Sequence, residues 1–477
     1  MTVNTSQIIA NSHVAFGTSG ARGLLTDFNA EVCAAFTQSF ITSTQTNFKF
    51  ERVAIGIDNR PSSPQMAAAC IGLLQAMGIG ADYYGVLPTP ALAFQAMQDK
   101  IPAIMITGSH IPFDRNGIKF YRPDGEITKA DESTILAQHE PLLSFTAHLP
   151  VVSKVATENY INRYLSIYPA NILAGKHIGI YEHSSAGREI YHRVFAAFGA
   201  TVTRLEPSDS FVPIDTEAVS EADKLKGLNW ARQYQFDAIF STDGDGDRPL
   251  IADEQGNWLR GDIVGLLCAK ALGVDALAVP VSCNTAIEKS GVFSQVIRTK
   301  IGSPYVIAAF ANLAAEKNVA GFEANGGFLL GSDIMLADKE LKALPTRDAL
   351  LPVLALLTMA GDRPLSTLLA MLPQRFTASD RIQNVPTAWS KKFIEKLALQ
   401  PESAITALNL TEKKLQLVNQ TDGLRLTFTD GDIVHLRPSG NAPEIRCYSE
   451  ANKEFQAEDL TTTVLRAVRA LYLADSD

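Results

Sequence analysis

No two of the five cysteines form a C-x-x-C pair, and Cys33, Cys70, Cys268, Cys283 and Cys447 are widely spaced and odd in number. That argues against a zinc knuckle and a disulfide framework and fits a reducing compartment, so a cytoplasmic location is expected. No apolar run is long enough to span a bilayer. The stretch from Met1 to Ser12 lacks the basic-then-apolar order of a signal peptide, so no membrane partner is expected. Positive charge is in deficit: the formal net charge is −9 over 477 residues, which argues against a general nucleic-acid binder. An anionic ligand would need arginines gathered at its site. Low-complexity segments and charge runs are absent too, so linkers between elements are short.

What is present is the composition of a soluble α/β enzyme, 46% hydrophobic and 8% aromatic, in a chain too long for one core. The hydrophobic pattern predicts a strand over Val53–Ile57, a helix over Ser63–Met77, a strand over Asp82–Val86, a short helix opened by Thr89-Pro90 and a strand over Ala103–Ile106. The same grammar returns. Strand 177–181, helix 187–198, strand 201–204, a helical run 218–234 and strand 238–240 form a second module. Strand 276–281, a short helix 285–289, strand 296–299, helix 304–317 and strand 319–322 form a third. Three α/β modules of related order carry their sites beyond the carboxyl ends of the strands. After Pro373 the texture changes to strands at 424–428 and 433–436 hinged at Asp430-Gly431, closed by a helix over 458–473, which reads as a smaller α+β domain. The expected domains are 1–150, 151–257, 258–372 and 373–477.

The chemistry-bearing residues sit in the loops that end these modules. Thr107-Gly108-Ser109-His110-Ile111-Pro112 follows a buried strand and places a hydroxyl where a nucleophile or phosphate carrier belongs; the plain alternative is a Ser/Thr/Gly turn. Asn116-Gly117-Ile118-Lys119 sets a lysine just after a predicted turn. It is either a solvated amine or, near arginines and a metal, a general base, and His110 is either a proton carrier or a structural residue. In Thr242-Asp243-Gly244-Asp245-Gly246-Asp247-Arg248, glycines let three carboxylates converge on one divalent cation. An EF-hand would use Glu254 as its last ligand, but Arg248 stands where that loop needs glycine. An aspartate-nucleophile phosphatase and a solvated acidic turn are further alternatives. Arg437-Pro438-Ser439-Gly440-Asn441-Ala442-Pro443-Glu444-Ile445-Arg446 offers two arginines and a serine to a phosphate, or else is a hairpin turn with surface arginines. Gly17 to Gly23 is a further glycine-rich loop carrying Arg22.

Together these loops, in this order over nearly the whole chain, resemble the α-D-phosphohexomutase family, in particular its phosphomannomutase/phosphoglucomutase branch. Gly17–Gly23 is similar to the family's G-T-S-G-x-R-G, and residues 243–256 are close to identical with its metal loop. The resemblance implies three related domains of mixed sheets plus a C-terminal α+β domain around a central cleft. It implies that Ser109 is carried as a phosphoserine, with Mg2+ held by Asp243, Asp245, Asp247 and a phosphoserine oxygen. Arg22 and Arg248 would steady the phosphoryl group, Lys119 would serve as acid/base, and Glu323, in a loop with Asn325, would contact the sugar. Arg437, Ser439, Asn441 and Arg446 would grip a distal phosphate. The expected reaction exchanges hexose 6-phosphate and hexose 1-phosphate through a bound bisphosphate, with mannose phosphates first and glucose or glucosamine phosphates as alternatives. An aspartate-nucleophile sugar phosphatase and a non-catalytic sugar-phosphate binder, in a monomer or homodimer, are the readings from other classes.

The chain departs from the family at four places. Phe322-Glu323-Ala324-Asn325-Gly326-Gly327 replaces G-E-x-S-G, which is often followed by histidine, and Ser303 stands where a histidine is expected after Gly302. The phosphate loop has Asn441-Ala442 in place of T-E, and the serine loop has Gly108 and Ile111 where A-S-H-N-P is commoner.

Overall fold

A computed structural model describes residues 3–17, 20–439 and 443–476. The chain divides into two compact units, Met1–Val274 with Lys317–Thr367, and Asp275–Glu316 with Leu368–Asp477. The architecture is mixed α/β in several sheets.

In the first unit, a seven-stranded sheet is built around Arg52–Ile57, which pairs in parallel with Gly80–Val86 on one side and Ala103–Ile106 on the other. Val53 to Ile57 and Ala103 to Ile106 are buried, as expected of strands covered on both faces. The helices Ala30–Gln45 and Ser63–Ala76 pack on each other and share the core of Phe36, Phe40, Ile55, Ile104 and Phe120. Arg115–Arg122 then runs antiparallel to Ala103–Ile106 and on its far side pairs with Ala21–Leu24. Here the structure corrects the sequence reading, because Lys119 lies within a central strand rather than after a turn. Asn116-Gly117 resembles turn chemistry. However, the Asn116 side chain accepts from the Gly117 amide and donates to Ser62 and Ser63, so the strand passes through.

A four-stranded sheet follows, in the order Pro249–Ala252, Ala238–Thr242, His177–His183, Thr201–Pro207. Two of its three pairings, those of His177–His183 with Ala238–Thr242 and with Thr201–Pro207, join the strands of the predicted module, and the helix Glu221–Tyr234 starts later than the run from Ala218 suggested. The Ser220 hydroxyl accepts from the Asp223 amide and fixes that start. The rest of this unit holds the antiparallel strands Val319–Phe322, Phe328–Leu330 and Leu344–Asp348, with the apolar helix Leu350–Ala360 packed on Gly261–Ala271.

In the second unit, Ala276–Pro280 and Gln295–Thr299 pair in parallel. The helix expected to reach Lys317 ends sooner, as Ser303–Ala309 followed by a 3-10 turn, Phe310–Leu313. A helix to Lys317 would leave one residue to reverse into Val319, too few for a connection. The remainder is a five-stranded antiparallel sheet in the order Phe376–Gln383, Glu444–Ala451, Ile433–Pro438, Leu424–Phe428, Leu415–Asn419. The helices Thr387–Leu399 and Glu454–Ser476 cover it, and the second is longer at both ends than the pattern over 458–473 indicated. Among the described residues no helix is long and apolar enough to cross a membrane.

Candidate functional site

Ser109 follows the strand Ala103–Ile106 with a left-handed backbone, φ 51°. A non-glycine residue held there needs support. Part of it comes from Thr107, whose hydroxyl accepts the Ser109 amide at 2.8 Å. Most comes from Arg60, which the sequence reading missed. Its guanidinium is buried and donates to the carbonyls of Ser109, Ile111, Pro112 and Arg115 at 2.6–3.0 Å, while Asp58 lies 3.3 Å from its Nε. Asp58 also accepts from the Gly108 amide and the Ser63 hydroxyl. The arginine passes so close that a Cβ on Gly108 would sit 2.4 Å from its Cζ, which accounts for glycine at that position. A lone arginine after Asn59 carries no local signature, so only the fold reveals this role.

So held, Ser109 Oγ donates to Asp243 Oδ2 at 2.6 Å. The acidic loop curls as its glycines suggested: Gly246 has φ 70°, and the amides of Asp247 and Arg248 point at Asp243 Oδ1. Asp243, Asp245 and Asp247 are wholly buried, with ligand oxygens within 4.8 Å of one another. Burial, then the neighbouring Asp245 and Asp247, push the Asp243 carboxyl well above the usual range. Burial acts the same way on Asp245, yet the Lys119 ammonium and the Thr89 hydroxyl outweigh it and hold that carboxyl well below. Lys119 Nζ lies 2.6 Å from both Asp245 Oδ2 and Asp247 Oδ2. The other oxygens of these two residues, Asp245 Oδ1 and Asp247 Oδ1, are buried with no hydrogen-bond partner. Buried carboxylate oxygens are costly unless paired or coordinated. Hard anionic oxygens gathered in this way suit a divalent cation, and the triad is a divalent metal site.

The cations expected around it assemble as well. Arg248 Nη1 lies 2.9 Å from His110 Nδ1, and its Nε is 3.7 Å from Asp243 and Asp247. Because a guanidinium only donates, His110 accepts at Nδ1 and carries its proton on Nε2. Arg22 donates to the Thr107 carbonyl at 2.5 Å, and burial lowers its pKa to about 10, so it stays cationic at neutral pH. Glu254, the EF-hand alternative's last ligand, instead accepts from Ser366.

Glu323 and Asn325 form a tight turn in which the Gly326 amide donates to the Glu323 carbonyl and the Gly327 amide to Asn325 Oδ1. Glu323 is buried and ion-paired with Arg347, which also reaches Asp247. The sequence reading missed Arg347 too. In the second unit Arg437 and Arg446 face each other on paired strands. Arg437 lies 3.6 Å from Asp422, Arg446 donates to Glu444, and the Ser439 amide donates to the Glu444 carbonyl. Asn441, Thr18 and Ser19 lie outside the described residues.

Three family models match this chain: phosphoglucomutase/phosphomannomutase alpha/beta/alpha domain I over residues 13–142, alpha/beta/alpha domain III over 260–376, and the C-terminal domain over 380–467. The chain belongs to the phosphoglucomutase/phosphomannomutase family. It is 56% identical over 468 residues to a phosphomannomutase of Salmonella muenchen, covering 98% of each chain. It is 43% identical over 460 residues to a phosphomannomutase of Sinorhizobium fredii, covering 93% of this chain and 96% of that one. In fold it is similar to a phosphoglucomutase/phosphomannomutase family protein from Burkholderia thailandensis, with a TM-score of 0.74, 17% identity and 98% of each chain covered. Membership makes the chain an enzyme, an isomerase of the phosphotransferase type.

Proposed function

We propose that this enzyme is a phosphomannomutase that interconverts mannose 6-phosphate and mannose 1-phosphate, with Ser109 as its phosphate carrier. The observation that carries the reading is the Ser109 hydroxyl held 2.6 Å from Asp243 in a buried acidic triad ringed by cations. The names of the two relatives support the sugar. In this reading the ion of the triad is Mg2+, which Asp243, Asp245, Asp247 and an oxygen of phospho-Ser109 would hold. Bound there, it would neutralise charge on the transferring phosphoryl group.

The chain's own residues supply the rest. Phospho-Ser109 gives its phosphoryl group to the free hydroxyl of a mannose monophosphate: the bond to Ser109 Oγ breaks as one to the sugar oxygen forms, and the sugar hydroxyl proton leaves. The bisphosphate turns over, and its other phosphoryl group returns to Ser109, so nothing is consumed. Arg22 and Arg248 bracket the Ser109 loop and steady the moving phosphoryl group. Lys119 takes up and returns the proton, and His110, accepting at Nδ1 from Arg248, orients that guanidinium. Glu323 and Asn325 read the sugar hydroxyls, and Arg437, Ser439, Asn441 and Arg446 bind the distal phosphate. The segments 1–150, 151–257, 258–372 and 373–477 are the domains of this proposal, which limited proteolysis can locate.

The test is intact-protein mass spectrometry with a coupled assay on mannose and glucose phosphates. The protein should carry one phosphoryl group on Ser109, and Ser109→Ala should lose both the group and the isomerisation. Normal turnover by Ser109→Ala, or release of inorganic phosphate without isomer, would refute the reading.

A further inference from the structure

Arg347 lies on the strand Leu344–Asp348 and is buried to 2% exposure, where an unpaired guanidinium would be severely penalised. Its three nitrogens divide between two loops. Nε and Nη2 lie 3.1 Å from Asp247 Oδ2, and Nη1 lies 3.1 Å from Glu323 Oε2. Lys119 takes the same Asp247 oxygen. With Oδ2 engaged by two cations, Asp247 turns its other oxygen, Oδ1, away as one of the two buried triad oxygens without a hydrogen-bond partner. The path of the arginine explains the glycine that ends the Glu323 loop. A Cβ on Gly327 would stand 2.5 Å from Arg347 Cδ and 2.6 Å from its Cγ, so a side chain at 327 and this arginine cannot coexist undisturbed.

We propose that Arg347 is a positioning residue that clamps the metal-loop carboxylate Asp247 to the sugar-loop carboxylate Glu323, fixing which oxygen Asp247 presents to the cation and how Glu323 faces the sugar. The part concerning Glu323 rests on the function proposed above; the part concerning Asp247 needs only the metal site. A planar fork can bridge two carboxylates, whereas a lysine's single ammonium holds one well at best. Gly327 belongs to the same device, because it clears the space through which the fork reaches both loops.

Electrostatics and positioning predict opposite signs for metal binding, which makes the test decisive. Deleting a nearby cation by itself tightens divalent-ion binding, because repulsion falls. Deleting a residue that orients a ligand weakens it, typically about 10- to 100-fold. Calorimetric Mn2+ titration of the full chain, with far-UV circular dichroism to confirm folding, should show Arg347→Met and Gly327→Ala each weakening Mn2+ binding by about tenfold or more. Arg347→Lys should fall between Arg347→Met and the parent. The double variant should bind no more weakly than Arg347→Met alone, because both changes break one clamp. In the coupled assay, kcat for mannose 1-phosphate should drop while KM shifts less. Unchanged or tighter Mn2+ binding in Arg347→Met overturns the proposal. Should that variant fail to fold, Gly327→Ala keeps every charge, and unchanged Mn2+ binding in it has the same force. If the parent isomerises no hexose phosphate, the proposed function fails while the Mn2+ titrations still decide the clamp.

Discussion

At the scale of single residues, this site is a problem of stabilising buried charge. Three carboxylates wholly buried together repel, and Lys119, Arg248 and Arg347 are the groups that make their burial tolerable. Removing a member should cost function before fold where metal can compensate. Asp243→Ala, which deletes both the acceptor of Ser109 and a metal ligand, should lower kcat on the order of 10²–10³-fold. Chelation of the parent should abolish turnover, with added Mg2+ restoring it, as the coupled assay can follow. Arg60 presents the reverse case. Arg60→Met would leave four carbonyls and Asp58 without their partner, in a buried setting where breaking an ion pair costs about 3–5 kcal/mol. Urea denaturation should show that loss, and hydrogen exchange should accelerate over residues 108–115 as Ser109 gives up its left-handed backbone.

At the scale of elements, the strand that carries Arg347 is itself pinned at its end. The next residue, Asp348, accepts from the hydroxyls of Tyr160 and Tyr164, both on the helix Val155–Ile167, and from the amide of Leu350 at the start of the helix Leu350–Ala360. One buried carboxylate therefore joins a strand end to two helices. Tyr164→Phe removes one donor and should lower stability by about 1–2 kcal/mol. Adding Tyr160→Phe should cost more than the sum of the single changes, because the carboxylate then lacks both phenols. Leu354 on the same apolar helix is fully buried, so Leu354→Ala should cost about 2–5 kcal/mol in urea unfolding through the cavity it leaves.

At the scale of the whole molecule, two wholly buried histidines make stability depend on pH. Burial lowers His183 to about 4, against the Thr242 carbonyl that its Nε2 contacts, and lowers His435 to about 4 in the second unit. Between about pH 4 and 6.5 the unfolded chain binds these protons and the folded chain does not. Stability is therefore full above that window and falls as pH drops through it, by about 3 kcal/mol per histidine at most. The raised Asp243 carboxyl acts in the opposite direction, so the histidine contribution is read by difference: lowering the pH from 7.5 to 5 should destabilise His183→Gln less than the parent in urea unfolding. The amino-acid sequence by itself determined the α/β alternation, because strand and helix periods are local properties. It also marked the serine and acidic loops as candidates, because glycine, proline and charged residues at fixed spacing single them out without reference to anything distant. Only tertiary structure decided that Asp243 lies beside Ser109 from 134 residues away, that Lys119 sits on a strand aimed at the triad, and that Arg60 and Arg347 hold the loops. The reason is physical: an isolated arginine reads the same in sequence whether it is solvated or buried, and its partners are chosen by strand pairing between segments far apart in the chain.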